Sequence, residues 1–189
     1  MLRRSAAIAL AVVASLGASA CGEKNSETQG GELAAAESEA LYIDLGGLKY
    51  QVQLSRQLNP RDPTDKTYFQ NVAPAESTLE RGSIWFGVFM RVENESDKPI
   101  GSAEKFSIQD TQGNEFEPVE SENTFAYRPS EVPGGGYIPD REALQAQAGT
   151  QGALLLFKIP LASLDNRPLE LSITDPRDAE RRALIDLDV

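Results

Sequence analysis

The segment 84–94, with the sequence I-W-F-G-V-F-M-R-V-E-N, constrains the fold of this chain more than any other. It is rich in strand-forming residues, and a cluster of turn-forming residues follows it at 94–99. Side chains on a strand alternate between two faces. One face here is apolar throughout, whereas the other begins with aromatic rings and ends with Arg91 and Glu93. The segment therefore predicts a central strand whose second face is covered at one end only.

Other apolar segments predict further strands, with a hairpin over the turn 111–113 joining two of them. In the strand that begins at Leu48, the alternation predicts that Leu48, Tyr50, Val52 and Leu54 face inward. Short helical turns are predicted within 140–146 and 161–167. No long helical pattern occurs, so the sequence predicts an all-β fold, an immunoglobulin-like antiparallel β-sandwich of about seven strands. The predicted strands are 48–54, 84–94, 105–110, 114–119, 152–160, 169–174 and 183–189.

Two long irregular segments, 59–82 and 120–149, separate the predicted strands. Irregular segments of this length are uncommon inside compact domains and are often functional. We expect a candidate binding surface on them and on the second face of the central strand, comprising Tyr68, Phe69, Trp85, Phe89, Arg128 and Tyr137. The alternative is that Trp85 and Phe89 belong to the core, or are covered by Tyr68 and Phe69.

The first residues have the pattern of a bacterial export signal. Arg3 and Arg4 precede the apolar stretch 6–16, and small residues lead to Cys21, the single cysteine of the chain. This pattern resembles the lipobox of bacterial lipoproteins, in which the cysteine is lipidated and becomes the new N-terminus. It implies a lipoprotein signal peptide at 1–20, a lipidated cysteine and flexible linker at 21–41, and a β-sandwich domain at 42–189. We expect a lipid-anchored, extracytoplasmic location at the cell membrane.

Composition limits the chemistry of the chain. The formal net charge is -11, which argues against nucleic-acid binding because phosphates require a basic surface. There is no histidine, so the commonest general base and metal ligand is missing. We expect no catalytic residues, no metal site and no cofactor. The carboxylates of Asp175, Asp178 and Glu180 are predicted to be solvated, and the turn 110–114 is predicted to hold no calcium ion.

Several segments together resemble the bacterial telokin-like, immunoglobulin-like domain of unknown function found on surface lipoproteins. They are G-L-K-Y-Q-V at 47–52, V-E-N at 92–94, F-S-I-Q-D at 106–110 and G-A-L-L-L-F-K-I-P at 152–160. The resemblance covers roughly residues 42–175 and implies a fold, but no catalytic residue.

The function predicted from the sequence is that of a membrane-anchored binding module, not an enzyme, with an envelope protein or a glycan as its partner. One alternative is a carboxylate-based hydrolase of cell-envelope polymers. Its signature would be two facing carboxylates with raised pKa values in one pocket. The other alternative is a purely structural envelope protein.

Overall fold

The computed structural model describes residues 27–29, 33–36 and 41–187, and within them the chain forms a β-sandwich. The strands are β1 (Glu27–Gln29), β2 (Leu33–Ala36), β3 (Ile43–Leu45), β4 (Leu48–Leu58), β5 (Ser83–Glu93), β6 (Ile100–Gly101), β7 (Phe106–Gln109), β8 (Glu115–Phe116), β9 (Glu131–Val132), β10 (Tyr137–Ile138), β11 (Ala153–Pro160), β12 (Leu169–Asp175) and β13 (Asp178–Leu187). Short 3₁₀ turns lie at Asp65–Phe69 and Leu161–Asp165, and α1 spans Leu144–Gln147. Among the described residues, no helix has the length and apolarity needed to cross a bilayer.

Two sheets form the sandwich. The first has the order β1-β2-β13-β12-β7-β8, and the second has the order β3-β4-β5, with both β10 and β11 on the far edge of β5. A separate pair joins β6 to β9. All pairs are antiparallel except β2 with β13. The predicted all-β sandwich is confirmed, with eleven strands between residues 41 and 187 where about seven were expected.

Strands β1 and β2 fall inside the segment 21–41, which was predicted to be a flexible linker. They pair with each other, and β2 adds to the edge of β13. Cys21 and the predicted signal peptide lie outside the described residues, so their assignment stays a prediction.

The main hydrophobic core lies between the two sheets and contains the apolar face of β5, namely Ile84, Phe86, Val88, Met90 and Val92. Two buried tyrosines hold Ala103 at its edge. The Ala103 amide donates to the Tyr50 hydroxyl at 2.8 Å, and the Tyr127 hydroxyl donates to the Ala103 carbonyl at 3.0 Å. Burial raises the pKa of Tyr50 to about 12, so the hydroxyl keeps its proton at any physiological pH.

A β-bulge changes the pattern of β4. The register against β5 shifts between Val52 and Leu54, and side chains after the shift point to the opposite face. The prediction that Leu54 faces inward is therefore wrong, since Leu54 is 36% exposed. The same shift places Arg56 and Leu58 on the outer face of the second sheet, beside the aromatic face of β5.

Asp175 corrects another expectation. It is buried at the end of β12, where the tight β12–β13 turn packs against Gly46 in the turn between β3 and β4. The Arg177 amide donates to its Oδ1 at 2.9 Å, and the Arg181 guanidinium lies 3.6 Å from Oδ2. The prediction that Asp175 is a solvated carboxylate is wrong, because the two turns cover it.

The turn between β7 and β8 is built on Asp110. Its Oδ1 accepts the amide hydrogens of Gln112 and Asn114, each at 3.0 Å, and its Oδ2 accepts from the Asn114 side chain at 2.9 Å. The predicted hairpin turn is confirmed, and these bonds occupy the carboxylate oxygens. They lower the pKa of Asp110 from 3.8 to about 2, with the Asn114 side chain as the largest cause.

This pKa shift predicts a pH dependence of stability. Because the pKa is lower in the folded chain, the stabilisation by Asp110 is fully present above pH 3.8 and is lost as the pH falls towards 2. We expect the Asp110→Asn variant to show a smaller loss of stability over this interval. Free energies of unfolding from urea titrations, measured across the interval for both proteins, check the prediction. Parallel curves would contradict it.

Candidate functional site

The aromatic face of β5 belongs to a second hydrophobic core, which the segment 59–82 covers. The 3₁₀ turn Asp65–Phe69 places Tyr68 against Phe89, with ring centroids 5.2 Å apart, and Phe69 against Trp85, at 5.3 Å. Tyr68 and Trp85 are 3% exposed and Phe89 is 0% exposed. The candidate binding surface is therefore wrong for these three rings, because the segment 59–82 folds over them. The alternative, burial under Tyr68 and Phe69, describes the structure.

Two ion pairs hold the segment 59–82 in place. Arg56 and Asp65 form a bidentate pair, with Nη2–Oδ1 and Nη1–Oδ2 distances of 2.5 and 3.1 Å, and Asp65 also accepts the Asn59 amide at 2.9 Å. The hydrogen bonds from Arg56 are the main cause that lowers the pKa of Asp65. Lys158 pairs with Glu76 at 2.7 Å. This long segment therefore forms part of the packed structure.

The segment 118–127 runs along the outer edge of β11. The Val119 amide donates to the Leu156 carbonyl at 2.6 Å, the Leu154 amide donates to Phe125, and the Tyr127 amide donates back to Leu154. Between these contacts the chain leaves the sheet edge, and the Asn123 side chain ties this excursion to the carbonyls of Thr67 and Gln70. The two long irregular segments are therefore joined to each other above β11.

A concave site of about 900 Å³ lies where these segments meet. Residues 71–74 form one wall, residues 118–122 and 126–129 form another, and residues 154–156 of β11 lie below. Three glutamates line it with one arginine, and we call it the acidic groove. Its charged lining residues are Glu104, Glu120, Glu122 and Arg128, all of which are exposed. Of the predicted surface residues, Arg128 lies here.

Tyr137 lies in a different concave site, at the charged end of β5 that carries Arg91. This site, which we call the arginine pocket, has a volume of about 220 Å³ and is lined by Gln53, Arg91, Tyr137, Pro139, Arg141, Ala146, Gln151 and Gly152. On the second face of β5, Trp85 and Phe89 are buried, whereas Arg91 and Glu93 are half-buried and contact Tyr137. The predicted surface residues are split between a core, a groove and a pocket.

Asn94 fixes the loop that carries Tyr137. Its side chain is fully buried and donates to the carbonyls of Lys98 and Val132 at 2.7 and 2.8 Å. Its backbone amide donates to Gly136 and its carbonyl accepts from Gly135. These bonds hold β10 on the edge of β5, and therefore set the position of the tyrosine ring.

The sequence analysis did not predict the arginine pocket or the glutamates of the acidic groove. The sequence predicts only that Arg91 lies at the charged end of the central strand and Arg141 in a short helical turn. The sequence feature that could have indicated the pocket is the charged end of β5, together with the long irregular segment 120–149. No local pattern, however, links Arg91 to Arg141.

The described residues contain no cluster of three carboxylates or thiols arranged as metal ligands. A carboxylate whose pKa is raised is Glu170, through burial first and the nearby Asp186 second. Glu170 lies on β12, outside both the groove and the pocket.

Comparison with known proteins gives the fold and no family. No family model matches the chain, and no curated protein matches it. The solved structure of the yjhA protein from Bacillus subtilis matches with a TM-score of 0.52 and 14% identity, over 80% of this chain and 99% of that one. This likeness shows a shared fold.

Two further solved structures have TM-scores below 0.5. One is ycdA from Bacillus subtilis, a candidate lipoprotein, with a TM-score of 0.46 and 12% identity over 79% of this chain and 39% of that one. The other is an uncharacterized β-sandwich protein from Clostridium difficile, with a TM-score of 0.41 and 9% identity over 86% of this chain and 100% of that one.

Proposed function

We propose that this chain is a lipid-anchored, extracytoplasmic binding module that holds a basic peptide segment of an envelope protein in the acidic groove. The groove is the observation that carries the proposal. Its volume of about 900 Å³ is in the range of ligand sites, and it lies where the two long irregular segments meet. Binding, and not catalysis, is the role proposed for it. Membership in the telokin-like family and lipidation at Cys21 are parts of the same proposal.

Charge and apolar surface together favour this partner. Three glutamates against one arginine give the groove an acidic lining, in a chain whose net charge is -11. Complementary charge steers a basic partner to the site and disfavours an acidic one. Val72, Pro118 and Val119, which are half-buried, add apolar surface for side chains of the partner. Phe106 and Tyr127, the aromatic residues that line the groove, are buried and offer little ring surface for stacking on a glycan, which favours a peptide.

Charge reversal in the groove tests the proposal. The probes are a synthetic peptide that alternates lysine and leucine and its glutamate–leucine counterpart. The Glu120→Lys/Glu122→Lys variant is expected to bind the lysine peptide about tenfold more weakly, because each exposed charge pair contributes up to about 1 kcal/mol. Isothermal titration calorimetry against the purified chain measures the change.

The matched control is Asp178→Lys/Glu180→Lys, which makes the same charge change at exposed positions of β13. It is expected to leave binding of the lysine peptide close to that of the unmodified chain. Equal weakening in both variants would show attraction by overall charge alone and would overturn the groove as the site. Equal affinity for the two peptides would also overturn it.

The second candidate is a carboxylate-based hydrolase, for which the three glutamates that line the groove would supply the carboxyl groups. General acid–base chemistry on a glycosidic bond uses two such carboxyl groups. Turnover of an envelope polysaccharide by the purified chain, abolished by Glu→Gln changes at 104, 120 or 122, would favour this candidate over the binding module.

A further inference from the structure

We propose that the arginine pocket binds an oxyanion, a phosphate or carboxylate group, through the guanidinium groups of Arg91 and Arg141. This inference goes beyond the peptide-binding function, because the pocket lies on another part of the molecule and has the opposite charge. Strands β4, β5 and β10 and the turns around residues 141–152 build it.

The two guanidinium groups are held by one aromatic ring. The Cζ atoms of Arg91 and Arg141 lie 4.5 and 4.1 Å from the centroid of the Tyr137 ring. Arg141 Nη2 also donates to the Tyr137 hydroxyl, which in turn donates to Glu93 Oε1 at 2.7 Å. Contacts of this kind orient both guanidinium groups before any ligand binds, which reduces the ordering cost of binding.

Among the described residues, no carboxylate forms an ion pair with Arg91 or Arg141. The ion pairs within residues 41–187 involve Lys49, Arg56, Lys158, Arg177 and Arg181. Glu93 accepts a hydrogen bond from the Tyr137 hydroxyl and lies outside the pocket lining. Asp140, next to Arg141, accepts the Glu142 amide in its own turn. In a chain with 29 acidic and 18 basic residues, two arginines without a direct ion pair in one concavity are unexpected.

The size and chemistry of the pocket fit a small oxyanion. Guanidinium groups present fixed pairs of N–H donors that match carboxylate and phosphate oxygens. A volume of about 220 Å³ exceeds the roughly 30 Å³ share of one water molecule several times over, so a phosphate group with part of its carrier fits. The amide groups of Gln53 and Gln151 also line the pocket and can donate further hydrogen bonds.

A purely structural role is the competing explanation. The two stacked arginines would then only fasten β10 and the following turn to β5, as cation–π contacts do elsewhere. A structural stack predicts a loss of stability on substitution and no response to anions. An anion site predicts a saturable response that depends on both arginines, so the two explanations differ in a direct measurement.

The experiment titrates the purified full-length chain with inorganic phosphate and, separately, with acetate at constant ionic strength. Proton–nitrogen NMR spectra report the backbone amide of Gly152 and the side-chain amides of Gln53 and Gln151. We expect saturable shifts at these groups, and an affinity about tenfold weaker in Arg91→Gln and in Arg141→Gln, since each removes one charge-assisted contact. Arg141 is exposed, so its variant is expected to fold even if the change at Arg91 disturbs the strand.

Arg128→Gln is the matched control, because it removes the same charge from the acidic groove and is expected to leave the affinity unchanged. A further arm uses phosphatidylglycerol vesicles, since a lipid headgroup presents the same phosphate chemistry as the free ion. A response to vesicles alone supports the site with a lipid headgroup as its ligand. The proposal is overturned if neither phosphate, acetate nor vesicles shift these groups saturably, or if Arg128→Gln weakens binding as much as the pocket variants.

Discussion

Replacing Phe89 by alanine is expected to lower the free energy of unfolding by about 3–5 kcal/mol, the usual cost of removing a buried phenylalanine ring. Phe89 is 0% exposed and packs edge-on against Tyr68, so its loss leaves a cavity between β5 and the segment that covers it. Urea titration followed by circular dichroism measures the change. Leu144→Ala, at a side chain that is 59% exposed, is the control and is expected to stay within about 0.5 kcal/mol of the unmodified chain.

This experiment also separates a core residue from the floor of a binding site. A ring on an open surface can be truncated with little loss of stability, whereas a ring under a folded segment cannot. A change below about 1 kcal/mol for Phe89→Ala would contradict the packing of the second core, because it falls well short of the cost of a buried ring.

Replacing Cys21 by serine is expected to move the chain from the membrane fraction to the soluble fraction almost completely. Two or three acyl chains on one residue anchor a protein stably, since each buried methylene contributes about 0.8 kcal/mol. Serine cannot accept the thioether-linked lipid. The apolar stretch 6–16 would span about 16 Å as a helix, short of the roughly 30 Å hydrocarbon core, so it offers no replacement anchor.

Fractionation of bacteria that express each variant measures this effect, together with incorporation of labelled palmitate. Ser26→Ala is the matched control, because it changes a nearby residue and keeps the cysteine. Continued membrane association of Cys21→Ser, or an unlabelled membrane-bound chain with Cys21 intact, would contradict the lipid anchor. Neither outcome would bear on the groove or the pocket.

The alternation of apolar and polar residues, together with the turn-forming residues, made much of the fold predictable. The predicted strand 84–94 corresponds to β5 at Ser83–Glu93, and its even-numbered face is buried as expected. Strands β7, β11 and β12 also match predicted segments, whereas β8 covers two residues of the strand predicted at 114–119. Each of these elements is specified within its own few residues, by alternation or by a turn residue such as Asp110, so a local pattern is sufficient to find it.

The bulge in β4 was not predictable in this way. Leu54 continues the alternation that begins at Leu48, and nothing local marks the shift near Gln53. The shift places Arg56 opposite Asp65 and Leu58 beneath Tyr68, so its benefit lies in contacts with a distant segment. Tertiary packing has overridden the local pattern here. The short strands β6, β9 and β10 were missed for a related reason, since each has two residues and depends on its partner.

The prediction of a candidate binding surface was wrong for the aromatic residues whose burial the sequence could not determine. Aromatic residues such as Tyr68, Trp85 and Phe89 are common both in binding sites and in hydrophobic cores. Their identity alone therefore leaves both interpretations open. Contacts between residues far apart in the chain decided between them. The arginine pocket also depends on contacts between distant residues. The buried side-chain amide of Asn94 holds the loop that carries Tyr137, and the Tyr137 ring contacts both Arg91 and Arg141.

Strand β5 separates two cores, and this arrangement has a consequence for how the chain opens. A surface loop usually exchanges its amide hydrogens through local opening at little cost. Here, lifting the turn Asp65–Phe69 exposes the rings of Trp85 and Phe89 and breaks the buried carboxylate of Asp65 from its arginine. Amides of that turn should therefore exchange with the slow, cooperative unit that includes β5, and a protease should cut that turn as slowly as it cuts a strand.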